Sequence, residues 1–208
     1  MGLISNGTTL FDAGAMAAGL AGNMVFMKKL TASDSANLTF VHGSGGVDFT
    51  TYKEYIFFFK DIHLEANANW GVQFDTGSNS NFNQTITSTA FYAYKAEASG
   101  NTTLSYNTGI DKAQATTHQV LMMDGLGTDA DNSNSGFIKL YDPGSSTFVK
   151  AFSSETQVIN TNSDGTGNPY CNHCFVSGYI NTTTAITKVQ FTAASDNFNG
   201  DIILYAIA

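Results

Sequence analysis

Residues 70–75 read Trp-Gly-Val-Gln-Phe-Asp, and this alternation of apolar residues with small or polar ones decides the fold class. Successive side chains of a β-strand point to opposite faces of its sheet, so such a stretch predicts a strand with one buried face and its polar residues turned outward. Residues 186–193 alternate in the same way, with Val189 and Phe191 on the apolar side. Asp201–Ile207 is apolar on both faces, which is typical of a central strand.

Similar short apolar runs recur from Leu38 onward, separated by polar clusters rich in Asn, Asp, Gly and Ser. No segment shows a convincing helical period, although the Ala- and Gly-rich start of the chain could form a short helix. About ten candidate strands at short, fairly regular spacing predict an all-β protein: an antiparallel β-sandwich, jelly-roll-like, with an N-terminal arm. The candidate strands are Leu38–Val41, Tyr52–Leu64, Trp70–Phe74, Thr85–Ala96, His118–Met123, Gly136–Tyr141, Thr147–Phe152, Cys174–Ile180, Ile186–Ala193 and Asp201–Ile207.

The chain divides into an arm, residues 1–30, and a sandwich domain, residues 31–208. A chain of 208 residues is long for an average domain, but sandwiches of this size often form a single domain. The arm carries exposed apolar side chains such as Phe26 and Met27, which need cover. Two hypotheses stand side by side: the arm packs on a neighbouring subunit or partner, or it folds back on its own sandwich.

The apolar stretch Leu10–Met27 indicates neither a secretory signal nor a membrane span. A signal peptide carries its positive charge before the apolar part, whereas Lys28 and Lys29 follow it. A span needs about 20 apolar residues with few or no charges, and Asp12 lies inside this stretch. We therefore expect no membrane span, and a protein that acts in the cytosol or in an assembly built there.

The charge composition argues against nucleic acid as a partner. The net charge is −8, and all nine basic residues are lysines scattered along the chain. Nucleic-acid binding leaves a basic footprint, and arginine is the usual residue for bidentate phosphate recognition. Because only 12% of residues are charged, the polar surface must be built mainly from Asn, Thr, Ser and Gly.

The Cys-x-x-Cys formed by Cys171 and Cys174 is the first candidate for metal or redox chemistry. A closed zinc site needs four ligands, usually from two such halves, and the second half is absent. A thioredoxin-like role needs a βαβ context, which the strand pattern does not offer. Ordinary thiols beside a strand are favoured, and a metal site and a loop disulfide remain open.

Asp124, Asp129 and Asp131 form the densest acidic cluster, together with nearby asparagines. Calcium prefers oxygen ligands on a flexible loop, but the EF-hand spacing is not met because Asn134 and Leu140 stand where Gly and Glu are required. A solvated loop is the favoured interpretation, and a stabilising calcium site is the alternative.

Catalytic motifs are not found. His42, His63, His118 and His173 stand in no metal-hydrolase pattern, and no nucleophile elbow is present. Gly45-Gly46, after His42, predicts a hairpin turn. We therefore predict a protein that is not an enzyme, with no catalytic, cofactor-binding or metal-binding residue; a surface polysaccharide lyase or hydrolase is the minor alternative.

The chain resembles small virion structural proteins of tailed bacteriophages from marine hosts, of the cyanophage and pelagiphage type. The final motif of that family reads Gly-x-Ile-x-Leu-Tyr-Gly-Ile, and this chain matches it except that Ala206 replaces the second Gly. The motifs are structural and carry no site residues over. The resembling segments are Leu3–Thr9, Lys28–Ser33, Tyr52–Phe57 and Gly200–Ile207.

The resemblance implies a jelly-roll-like sandwich displayed on a capsid or a tail. We expect a capsid decoration or cement protein that assembles in the host cytoplasm and resides in the virion. Its partners would be itself, as a homo-oligomer with a trimer as first candidate, and the major capsid protein or tail. The alternative is a tail or fibre module that binds a host receptor or surface glycan through the loops Gly125–Ser135 and Asn160–Tyr170.

Overall fold

A computed structural model describes residues 3–5, 8–12, 15–16, 23–122, 128–160 and 169–208, the first three ranges as backbone only. These residues form strands joined by turns and loops, and no helix occurs among them. The strands are β1 (Leu3–Ser5), β2 (Thr8–Asp12), β3 (Ala15–Met16), β4 (Met24–Ser35), β5 (Asn37–Val41), β6 (Glu54–Leu64), β7 (Trp70–Thr76), β8 (Ile86–Ala96), β9 (Thr102–Tyr106), β10 (Lys112–Ala115), β11 (Gln119–Val120), β12 (Ser133–Tyr141), β13 (Lys150–Asn160), β14 (Tyr170–Ile180), β15 (Ile186–Ala193) and β16 (Phe198–Ile207).

Two antiparallel sheets pack face to face, which confirms the predicted β-sandwich. The large sheet has nine strands in the order β10-β8-β14-β13-β12-β6-β16-β4, with β9 also paired to β8. The small sheet has four strands in the order β11-β7-β15-β5. A separate sheet, β1-β2-β3, forms within the first sixteen residues.

The core between the two sheets is aromatic. Trp70 of β7 and Phe191 of β15 stack at 5.4 Å between ring centroids, and neither is exposed. From the large sheet, Phe59 packs edge-on against Trp70 at 5.0 Å, and Phe57 packs against Phe191 at 5.5 Å. These residues lie at alternate positions of their strands, so the sequence period alone brings them to one face.

The boundary predicted at residue 30 lies too late. β4 runs through it, and Leu30 pairs with Ile202 of β16 while Met24 pairs with Ile207. Residues 24–30 therefore belong to the edge of the large sheet. The sequence did not indicate this strand because both of its faces are partly exposed, so its apolar residues do not alternate cleanly.

Two further details differ from the sequence analysis. Residues 100–108 contain the strand β9 rather than only turns. The turn at Gly45-Gly46 exists, and both glycines have positive φ, but it does not close a hairpin. β5 pairs with β15 in the small sheet, whereas β6 lies in the large sheet, so this turn begins the crossing between sheets.

Candidate functional site

The outer face of the large sheet, opposite the core, carries a row of aligned side chains. The register places Phe91, Phe175 and Glu155 side by side on β8, β14 and β13. The row continues through Phe137 on β12 and Phe58 on β6. Apolar side chains that follow one another across strands on a face turned away from the core indicate a surface for contact rather than for solvent.

Glu155 divides the aromatic groups of this face in two. On one side lies the edge patch, formed by Phe58, Phe137, Tyr205 and Phe26. Between ring centroids, Phe58 lies 6.1 Å from Phe137 and 6.0 Å from Tyr205, and Phe26 lies 5.7 Å from Tyr205. Phe26 is 58% exposed. The patch reaches the edge strand β4, whose only partner among the described strands is β16.

On the other side of Glu155, His173, Phe175 and Phe91 form the aromatic platform. Phe91 and Phe175 stack nearly parallel, with centroids 4.7 Å apart and planes at 12°, and the His173 ring lies 4.3 Å from Phe175. Phe91 is 45% exposed, so one of these rings presents much of its surface to solvent. The carboxylate of Glu155 lies 3.9 Å from His173 Nε2, at the edge of the platform.

A bulge in β6, which is separated from β14 by the two strands β12 and β13, shapes the outer face of the large sheet. Asp61 has φ +52°, and the pairing of β6 shifts register at this point with both β12 and β16. Gly200 on β16 has φ +126°, and a Cβ at Gly200 would come within 2.7 Å of the Asp61 carbonyl oxygen. Only glycine fits there, and the extra residue in β6 turns the Asp61 carboxylate to the outer face.

The bulge opens a depression of about 200 Å³ on the outer face. A carboxylate, two hydroxyls, an amide and one apolar side chain line it, since its lining residues are Asp61, Ser133, Ser135, Gln157 and Ile159. The Asp61 backbone N–H donates to Ser135 Oγ at 3.1 Å, which fixes the bulge against β12. The depression therefore combines several hydrogen-bonding groups with one apolar wall.

The polar side chains Asp61 and Gln157 of the depression make only weak contacts with neighbouring side chains among the described residues. Asp61 is paired only with its neighbour Lys60 among the described ion pairs, at 3.5 Å, and both side chains are 70% exposed. Gln157 Nε2 lies 3.5 Å from Cys171 Sγ, a weak contact. Such groups keep capacity to bond a ligand.

The platform adjoins the depression directly, because Gln157 and His173 are cross-strand partners on β13 and β14. Ser135 lies one strand further, so it stands roughly 10 Å from His173 across the sheet. That spacing is too long for a hydroxyl activated by an imidazole, which needs hydrogen-bond contact. Ser135 and His173 therefore lie on the same face without forming a hydroxyl–imidazole pair.

The cysteines lie on opposite faces of β14. Cys171 is exposed on the outer face, and Cys174 is buried in the core. They are close in sequence but cannot share a metal or a disulfide, because odd and even positions of a strand diverge. This is the arrangement of ordinary thiols.

The histidines are dispersed. His42 accepts the Phe49 N–H at 3.1 Å, and His63 Nδ1 lies 2.8 Å from the Asn132 carbonyl oxygen. Burial, together with the charge of Lys112, lowers the pKa of His118 below its ordinary value. His173 alone joins the candidate site.

Of the acidic cluster proposed for calcium, Asp129 and Asp131 precede β12, and Asp124 lies outside the described residues. Across the part of the chain that the structure describes, no group of three or more His, Cys, Asp or Glu could hold a metal ion. Residues 125–127 and 161–168 of the two loops expected to bind a receptor also lie outside it, while Ser133–Ser135 belong to β12.

The sequence analysis did not single out Asp61, Ser135 or Gln157. One signal was present: Lys60 and Asp61 interrupt the aromatic run of β6 with two adjacent charges, where strict alternation allows one outward residue. Such a break is typical of a bulge, but it does not reveal which strands lie beside it.

Comparisons of this chain with protein families, with curated proteins and with solved structures found no match. In the described residues, no helix has the length and apolar character needed to cross a membrane.

Proposed function

We propose that this chain is a non-enzymatic structural protein of a virion, and that it serves as a capsid decoration or cement protein of a tailed bacteriophage. The observation that carries the proposal is the edge patch, which lies beside the edge strand β4. The patch has one exposed ring, Phe26, beside partly buried aromatic side chains, and it adjoins an edge of β4 that no described strand covers. Such a surface is costly in isolation, and burial against another protein stabilises it.

The charges around the patch support burial. Lys29 is paired with Asp201 at 2.7 Å, and Lys139 with Glu54 at 3.1 Å. Charges that are already paired can be covered at a lower desolvation cost than isolated ones. A chain with net charge −8 repels its own copies, so a face with paired charges is where a neighbour can approach.

In this role the chain acts in the virion after assembly in the host cytoplasm, with copies of itself and the major capsid protein as partners. Many weak contacts on a shell add up through multivalency, so each contact can be modest. A closed trimer fits the local three-fold points of a capsid.

Location and copy number in purified particles test this proposal. Quantitative mass spectrometry should find the chain in hundreds of copies per particle, and immunogold labelling should mark the capsid. Particles without the chain would refute a virion role, and about a dozen copies at the tail would refute decoration.

A matched pair of variants tests the patch itself. Phe26→Asp places an unpaired charge in the patch and should lower incorporation into particles at least tenfold. Phe148→Asp makes the same change at a side chain that is 68% exposed and lies outside the patch, and should incorporate normally. Equal incorporation of both variants would refute the assigned surface.

A second candidate function is that of a tail or fibre module that binds a host surface glycan. The depression beside the aromatic platform favours it, because an open polar recess bordered by exposed rings is a recognition surface. A copy number near a dozen supports this candidate over decoration.

A further inference from the structure

We propose that the depression and the aromatic platform form one binding site for a neutral oligosaccharide. The inference deepens the second candidate function and concerns the isolated chain, so it is tested separately from location in a particle.

The shape of the site fits one sugar unit in the depression and further units of the same chain over the platform. A volume of about 200 Å³ equals roughly six or seven water molecules at about 30 Å³ each, and it falls below the range of about 300–1,000 Å³ typical of drug-sized ligands. The depression is therefore large enough for a monosaccharide unit. The platform lies beside it, where the next unit of a chain would extend.

The chemistry of the site matches the two surfaces of a pyranose ring. Hydroxyls around the rim of a sugar both donate and accept, and the lining supplies an ionised acceptor in Asp61, an amide in Gln157 and hydroxyls in Ser133 and Ser135. Hydrogen bonds to an ionised carboxylate are the stronger kind. The apolar C–H face of a sugar packs on an aromatic ring, and Phe91, which is 45% exposed, offers aromatic surface for this contact.

The charge of the site disfavours an anionic ligand. The described lining residues include one carboxylate and no cationic side chain, and Glu155 adds a second negative charge at the platform. Lys60, 3.5 Å from the Asp61 carboxylate, offsets part of this charge beside the depression. Phosphate-bearing or uronic-acid polymers would meet like charges on a chain of net charge −8. A basic peptide is the competing ligand on charge alone, but stacked rings beside hydroxyl-binding groups favour the sugar.

The test is a nuclear magnetic resonance titration of the full chain, labelled with nitrogen-15. Probes are neutral hexasaccharides of glucose, mannose and N-acetylglucosamine, with a galacturonic acid hexamer and a Lys-rich hexapeptide as competing ligands. We expect one neutral probe to shift amide signals of residues 133–135, 157–159 and 173–175, with a Kd of about 0.1–10 mM, typical of a shallow site.

Variants assign the binding to the site. Asp61→Asn keeps a residue that tolerates positive φ while removing the charge, and Gln157→Ala removes the amide. Each variant should raise the Kd for the neutral probe at least fivefold, and Phe91→Ser should raise this Kd as well.

Asp142→Asn is the matched control. Asp142 also has positive φ, at +45°, and it follows the far end of β12, seven residues and roughly 23 Å beyond Ser135. The affinity of Asp142→Asn for the neutral probe should stay within twofold of that of the parent chain. Circular dichroism should show that all variants are folded.

The proposal is overturned if no neutral probe shifts these signals at 10 mM, if the anionic hexamer or the peptide binds more tightly than every neutral probe, or if Asp61→Asn and Asp142→Asn bind equally. The titration measures binding by the isolated chain, and its outcome does not depend on the copy number in particles. Failure of the sugar site and failure of the decoration role are therefore distinguished by separate measurements.

Discussion

Replacement of Phe191 by alanine tests the packing of the two sheets. Phe191 projects from β15 of the small sheet, is not exposed, and is surrounded by four aromatic rings. Measured between ring centroids, Phe191 lies 5.4 Å from Trp70, 5.5 Å from Phe57, and 6.3 Å from both Phe40 and Phe59. Two of these rings come from the large sheet, so the side chain joins the layers of the sandwich.

The expected loss follows from burial and from the ring contacts. Phe→Ala in a well-packed core costs about 3–5 kcal/mol, and each aromatic pair adds about 0.5–1.5 kcal/mol beyond the buried area. Because the rigid neighbours cannot collapse into the space, we expect Phe191→Ala to lower the free energy of unfolding by about 4 kcal/mol. For a domain of this size that lowers Tm by about 8–16 °C.

Urea denaturation followed by tryptophan fluorescence measures this loss. Trp70 is the only tryptophan and stacks on Phe191, so its emission reports unfolding at the site of the change. Phe148→Ala is the control: its side chain is 68% exposed, and its loss should stay within about 0.5 kcal/mol. If Phe191→Ala loses less than about 1 kcal/mol, the inter-sheet core described here is incorrect.

The hydroxyl of Thr51, and that of the threonine before it, lower the pKa of Asp48 from 3.8 to about 2. The folded state thus favours the ionised carboxylate, and this stabilisation is complete above about pH 4 and lost as the pH falls towards 2. In urea titrations at several pH values, Asp48→Asn should remove this part of the pH dependence of the free energy of unfolding. The change should be less than about 1 kcal/mol, because the carboxylate is partly exposed. Gly200→Ala should lower the free energy of unfolding by about 1–3 kcal/mol, because residue 200 has φ +126° and the added Cβ would press on the Asp61 carbonyl oxygen of β6. An unchanged midpoint of urea unfolding would contradict this. In a thiol titration Cys171 should react at once and Cys174 only in denaturant, because one is exposed and the other is buried; two rapid thiols would refute their placement.

Strand alternation predicted much of the fold. Ile186–Ala193 is a strand with the predicted bounds, and Val189 and Phe191 are fully buried as expected. β13 extends to Asn160, well beyond the Phe152 predicted, because its later outward residues Glu155 and Gln157 alternate with buried Thr156 and Val158. A buried threonine is not recognisable as a core residue from its type; here its hydroxyl donates to the Leu121 carbonyl oxygen.

The candidate site could not be predicted in the same way. Asp61, Ser135 and Gln157 belong to three strands, and they meet only because β12 pairs with both β6 and β13. That pairing joins residues that are 74 positions apart in the case of Asp61 and Ser135. A local pattern carries no information on which distant strand becomes a neighbour.

By itself, the sequence determined that the chain forms strands and which side chains of most regular strands face inward. The period of two is a local property of the backbone, so composition and order suffice for it. The tertiary structure alone decided the rest. Asp75 shows why: the alternation of β7 turns it outward, yet it is fully buried, and its carboxylate accepts the N–H groups of Thr76 and Phe82. The chain that follows β7 folds back over this strand, and such long-range cover depends on the packing of the whole molecule rather than on the residues of the strand.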